Sequence, residues 1–381
     1  MSQGSGDFVS PSCEVLALGE PTHPSREPAF GPIRNELFAS LAGQGFRSIA
    51  LETDRVAALA VNDFVQDGFG TLDAAMREGF SHGFGHLEAN RRLVTWMREY
   101  NEGRPAGERL AFHGFDAQAE NTSAPSPRRY LEYGCDYLGL DPDIASLLGP
   151  DERWSREEAI LDPAKSIGDN PEAARLRVIA DDLLTSLYTR APELIAATSR
   201  AEWFRARTHL TAGLGLLRYH RQSAQRIEES TRISRLMATR DALMAQNLLD
   251  IRTIEGQRGA TLVFAHNSHL QRNPSSMHMA GMDIGWHSAG AIVGTLLDER
   301  YTVIIGSMGR SEALELGEPE PDTYEGVLQR RFTTWGLTPA AAITSARTRT
   351  DVRPEQVYAP LDHLMVDSAD AILHVTVATE R

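Results

Sequence analysis

Short apolar runs that stop abruptly at an acid or a base recur along this chain. Leu16-Ala17-Leu18-Gly19 runs into Glu20, with His23 and Glu27 just beyond, and Phe46-Arg47-Ser48-Ile49-Ala50-Leu51 runs into Glu52. Leu110-Ala111-Phe112-His113-Gly114-Phe115 ends at Asp116, and Thr261-Leu262-Val263-Phe264-Ala265 ends at His266, with Asn267, Ser268 and His269 behind it. A run of this length reads as a strand buried on both faces, and the loop leaving its carboxyl end is the usual place for a ligand crevice. The pattern predicts four strands delivering carboxylates and imidazoles to one rim.

Between the strands the period changes to that of a helix. Ile33, Leu37 and Leu41 follow the first strand, with Gly43 and Gly45 as stop signals. Val56, Leu59, Ala60 and Phe64 follow the second behind an Asp54 cap, and Leu93, Trp96, Met97 and Tyr100 precede the third. This alternation predicts an α/β fold, a mostly parallel central sheet flanked by helices. It resumes at Gly259 with strands expected at 261–265, 301–306 and 371–377 and a helix near 288–298.

The middle of the chain departs from that rhythm. Proline-punctuated pieces run from Asn121 to Asn170, and from Pro171 to Glu255 helical stripes such as Ile233, Leu236, Met237, Met244, Leu248 and Ile251 dominate. The expected organisation is a flexible tail at 1–12, a core domain at 13–120 and 256–381, and an all-helical insertion at 121–255 covering the active rim. The segment 312–357 carries the weakest pattern, with Glu-Pro-Glu-Pro-Asp at 318–322 as an exposed loop.

The chain has 381 residues and a formal net charge of −14, from 52 acidic and 38 basic side chains. That balance argues against nucleic acid or an anionic membrane as partner and leaves a small-molecule or peptide substrate. Cys13 and Cys135 make no disulfide framework, no apolar window suits export or a bilayer crossing, and a cytoplasmic location is expected. Oligomeric state is not legible.

His23 next to Glu20 suits a water-activating base, because an imidazole accepts a proton near neutral pH and a carboxylate on its other nitrogen fixes the tautomer. His266 and His269, three apart, are expected on one helical turn facing the same crevice, as donors to a developing oxyanion. Arg34 is a second oxyanion or carboxylate partner. His82 and His86, in a Gly-aromatic-His loop, are candidates for lining a hydrophobic pocket. A divalent metal among Glu20, His23, Glu27, Glu52, His266 and His269 is the alternative, although no His-Glu-x-x-His or Cys-x-x-Cys motif closes such a site, and no cofactor is expected. The absence of a Gly-x-Ser-x-Gly elbow and of glycine-rich phosphate loops turns the reading away from serine hydrolases and nucleotide chemistry.

Taken in order, Leu18-Gly19-Glu20-Pro21-Thr22-His23 with Glu27 and Arg34, Ala50-Leu51-Glu52, Gly114-Phe115-Asp116, Arg240-Asp241 with Met244-Ala245-x-Asn247, and Ala265-His266-Asn267-x-His269-Leu270 resemble the erythromycin esterase-like family. The resemblance implies an α/β core with a helical insertion and a hydrolase opening a lactone or ester of a hydrophobic, macrolide-like natural product by direct attack of water. His23 would be the base, with Glu20, Glu52, Arg34 and His266 completing the catalytic set and no metal needed. Glu27, His269, Asp116, Arg240, His82, His86 and His287 are the substrate-side candidates. Pro28 and Pro32 interrupt the helix expected to carry Glu27 and Arg34, and Trp286-His287-Ser288 keeps a histidine in altered surroundings. Two rival functions use the same cleft: biosynthetic acyl transfer, cyclisation or elimination on a peptide or polyketide, and binding of haem or a transition metal.

Overall fold

The strand-like runs become adjacent strands of one sheet. In the computed structural model, which describes residues 9–120, 122–343 and 346–378, they are β1 (Val15–Glu20), β2 (Phe46–Asp54), β3 (Ala111–Asp116), β4 (Ala260–His266), β7 (Tyr301–Ser311) and β9 (Ala371–Ala378). Residues 1–8 of the expected tail lie outside the described residues. With β8 (Trp335–Pro339) they form a seven-stranded sheet ordered β3-β2-β4-β1-β7-β9-β8, parallel except where β8 runs against β9. The first four in that order are the four strands whose carboxyl ends carry Asp116, Glu52, His266 and Glu20. Glu20 stands beside His266 in register, and Asp54 beside Asp116.

Three strands are absent from the sequence reading. Strand β8 carries a polar, glycine- and proline-containing stretch tolerable only at a sheet edge. A hairpin of β5 (Ser275–Met279) and β6 (Met282–Trp286) turns through Ala280 and Gly281, both at positive φ.

Alternation along the strands divides the core. Leu16 and Leu18 face α1 (Phe30–Ala42), α2 (Ala58–Asp67), α3 (Leu72–Glu78) and α4 (Glu88–Asn101), whereas Val15 and Ala17 face the other side. The helices start where expected, with three differences. The buried face of α2 is Ala58, Val61 and Val65 rather than the expected stripe of Val56, Leu59, Ala60 and Phe64; Asn62, Asp63, Gln66 and Asp67 hold the opposite side, and the expected stripe lies at the border between the two faces. Asp54 does not cap α2 itself, which begins at Ala58 without a side-chain cap; it holds the turn before the helix by accepting the Val56 and Ala57 N–H groups. Pro32 does not interrupt α1: it is the third helical residue, where a backbone N–H has no partner within the helix, so nothing is lost.

Between β3 and β4 the elements of the described residues are all helices: α5 (Arg128–Leu138), α6 (Ile144–Leu148), α7 (Glu152–Ser155), α8 (Glu157–Leu161), α9 (Pro171–Thr189), α10 (Ala191–Ala197), α11 (Arg200–Ser223) and α12 (Glu229–Glu255). Leu131, Leu176, Leu183, Trp154, Trp203 and Leu210 make a separate core for this layer. Each fully buried leucine contributes about 1.5–3 kcal/mol. Helix α12 joins the layers: Met244, Leu248 and Ile251 pack on the sheet with α14 (Ala289–Leu297), α15 (Tyr324–Gln329) and α16 (His363–Ser368) on that face. Its middle turns thereby pass the carboxyl ends of β3 and β4. No helix of the described residues is long and apolar enough to cross a membrane.

Candidate active site

Four strand ends and one helix build a buried acid/base cluster. After β4 the chain enters a single turn, α13 (Asn267–Leu270), capped by His266. Asn267 clamps this turn to β7 through both amide atoms, donating to the Gly306 carbonyl at 2.8 Å and accepting its N–H at 3.0 Å. A methyl on Gly19 would collide with the same Asn267 side chain, so glycine there lets β1 approach. The His23 ring, on the loop after β1, then lies 5.2 Å from the His266 ring, tilted by 37°. Phe84 covers His23 from the other side at 6.4 Å.

The bonding around His266 fixes its tautomer. Nδ1 accepts the Ser268 N–H at 3.2 Å and meets Ser268 Oγ at 2.7 Å, so the ring proton sits on Nε2. The backbone N–H of His266 donates to Glu52 at 2.9 Å. His269 looks the other way, bonding Asp241 through Nδ1 at 3.0 Å, with Nε2 3.6 Å from Glu52. Asp241 is held by the Trp286 indole at 3.0 Å and the Ala289 N–H at 2.8 Å.

Arg240 ties α12 to β3. It donates twice to Asp116, from Nε at 3.0 Å and Nη2 at 2.6 Å, and its Nη2 lies 3.6 Å from Glu52. His82 completes the chain of charges, with Nε2 2.8 Å from Asp116 and Nδ1 2.5 Å from Glu120. Its backbone is left-handed at φ 57°, an uncommon conformation for histidine that this bridge sustains.

Burial and these partners separate the titrating groups. Burial pushes Glu20 well above the ordinary carboxylate range, and the Glu52 charge pushes it further. Burial also opposes ionisation of Glu52, but His269, His23 and Arg240 outweigh it and hold Glu52 at about 2. Two carboxyl groups in one cleft are thus shifted in opposite directions. Burial lowers His23 and, with His23 beside it, takes His266 down to about 3, so both rings are neutral at pH 7. For His269 burial is outweighed by Asp241 and Glu52, which raise it; for His82 burial is outweighed by its two carboxylate bonds, which bring it to about 10. Three polar atoms in the cleft have no partner among the described residues: Glu20 Oε2, Thr22 Oγ1 and His23 Nδ1.

The structure therefore brings together Glu20, His23, Glu52, His266, His269, Asp116, Arg240 and His82. The expected Glu20–His23 hydrogen bond is not formed, since the partnerless atoms include one from each. Glu27 is committed elsewhere: its carboxylate accepts the Ala29 N–H at 3.2 Å and the Ser311 hydroxyl at 2.5 Å, which ties the loop into α1. His86 and His287 are exposed, because the short helical turn holding the first and the α14 entry holding the second aim them outward. Arg34 is buried at the edge of the cluster, bonded to Asn35 and Asn90. Sequence reasoning named Asp241 and Ser268 within motifs and Phe84 only as part of a loop, and gave none of them a role; the signal for Asp241 was an acid inside an apolar helical stripe. Among the described residues no group of three or more His, Cys, Asp or Glu side chains is placed to hold a metal ion.

Known proteins share this architecture. Matching folds include a Bacillus cereus protein (TM-score 0.66, 16% identity, covering 97% of this chain and 90% of that one) and a succinoglycan biosynthesis protein (TM-score 0.65, 16% identity, 96% and 88%). A third is a histidine-to-asparagine mutant of the erythromycin esterase EreC in its open conformation (TM-score 0.66, 18% identity, 97% and 91%). No curated protein sequence matches. The sequence from residue 41 to residue 379 matches the erythromycin esterase family, and the chain belongs to that family of hydrolases.

Proposed function

We propose that this protein hydrolyses an ester or lactone of a hydrophobic natural product with a water molecule activated by His23. One observation carries the reading: two neutral imidazoles face each other 5.2 Å apart at adjacent strand ends, and one of them has a buried nitrogen without a partner. Neutral His23 takes the proton of a water attacking the carbonyl carbon and returns it to the departing oxygen. His266, turning its Nε2 proton from the Pro21 carbonyl, and a protonated Glu20 carboxyl donate to the oxygen that gains charge, each such donor being worth about 2.7–4 kcal/mol of barrier. Glu52 stays anionic, holding His269 and Arg240 around the cleft.

The structurally similar EreC is an erythromycin esterase, which supports an ester or lactone as the substrate bond. A mass-spectrometric screen of macrolides, simple lactones and modified peptides against wild type and His23→Ala tests the reading. A mass gain of one water in one class, lost in the variant, is the expected result; no turnover of any lactone or ester overturns it.

A further inference from the structure

A cavity of about 560 Å³ adjoins the cluster, walled by Ile33, Leu87, Phe264, Trp335 and Val375, with Arg34 among its lining. That volume lies within the usual range for a small-molecule site. His23, Glu20 and His266 do not line it; Arg34 stands between cavity and cluster. Arg34 is only 3% exposed, and such a buried charge normally faces a carboxylate. Here its three hydrogen bonds all end on side-chain amide oxygens, Asn35 Oδ1 twice and Asn90 Oδ1 once. Of the five N–H donors of an arginine this leaves one on Nη1 and one on Nη2. No described carboxylate lies within ion-pair distance of it, and Glu20 acts on it through charge without touching it. At the wall, Glu88 and Arg92 neutralise each other at 2.9 Å and Glu36 is exposed. Arg34 is thus a buried guanidinium with no carboxylate in contact, lying 5.0 Å from the centre of the Phe264 ring in the cavity wall.

We infer that this cavity binds an apolar carboxylate, its chain against Phe264 and Val375 and its charge on the free Nη1 and Nη2 hydrogens of Arg34. A product acid of ester hydrolysis has this chemistry, so the inference extends the hydrolase reading, but its test needs no turnover.

Calorimetric titration with 4-phenylbutyrate and with its neutral amide, on wild type, Arg34→Gln and Thr334→Trp, decides it. Thr334 is an exposed residue of the cavity wall, so the tryptophan fills the cavity with little cost to folding. The carboxylate is expected to bind wild type about tenfold or more tighter than the amide. That preference is lost in Arg34→Gln, and both ligands are lost in Thr334→Trp. Equal binding of acid and amide to wild type, unchanged carboxylate binding in Thr334→Trp, or no saturable binding of the carboxylate overturns the inference. Failure of the protein to hydrolyse any ester tells against the catalytic reading and leaves these binding results standing.

Discussion

Replacing Asp116 by Asn removes the anion around which the helical layer is fastened to the sheet. Asp116 is fully buried and takes two bonds from Arg240, at 3.0 and 2.6 Å, one from His82 at 2.8 Å and one from the Ala117 N–H at 2.7 Å. The asparagine has nearly the same shape, so the change isolates charge. Arg240 is then left buried with Glu52 at 3.6 Å as its remaining acid in the cluster. Breaking a buried ion pair from one side costs about 3–5 kcal/mol, because the other charge stays desolvated. At roughly 2 °C per kcal/mol for a large chain, the midpoint of thermal unfolding falls on the order of 5–10 °C. Urea unfolding followed by near- and far-ultraviolet circular dichroism measures the loss. Arg240→Met should cost a similar amount, and the double variant about 1–3 kcal/mol less than the sum of the two. A loss below about 1 kcal/mol for Asp116→Asn, the value of a surface pair, or strict additivity of the two changes refutes the reasoning.

Three further outcomes follow from the same charges. Because His23 is lowered from its ordinary value, kcat/KM should rise with pH through a midpoint below about 6.5 and be level by pH 7; a midpoint above 7 contradicts the assignment of His23 as base. His82 is raised to about 10, so its stabilisation is complete below about pH 6.5 and lost as pH climbs toward 10; His82→Asn should flatten stability over that window in chemical denaturation, and an unchanged slope removes the bridge. Glu52→Gln takes away the anion between His269, Arg240 and the His266 N–H, and kcat should fall by about 10²–10³ with KM little changed, whereas a fall of less than about threefold removes Glu52 from the chemistry.

The strand ends were legible because a doubly buried strand must be apolar, so the first charged residue after it marks the rim. Glu20, Glu52, Asp116 and His266 follow from that rule alone. Azimuth is what a sequence withholds. His269 is three residues from His266, yet it turns toward Asp241 because α12 crosses there, and nothing local says so. Glu27 has the same spacing to His23 as a catalytic partner would, but Ser311, 284 positions along, claims it. His86 and His287 sit in loops whose direction is set by tertiary contacts. The 275–286 hairpin lacks the apolar run of the core strands because most of its positions meet solvent, and edge strand β8 breaks such a run with Gly336, Thr338 and Pro339.

Hydrolysis in heavy-oxygen water, comparing wild type with His23→Ala on the substrate found by the screen, tests the central claim most directly. The account predicts one heavy oxygen in the product acid, and a rate in the variant lower by about 10²–10⁴ while circular dichroism shows the fold intact. Product without the label, or a variant keeping more than about a tenth of the wild-type rate, contradicts attack by water activated at His23.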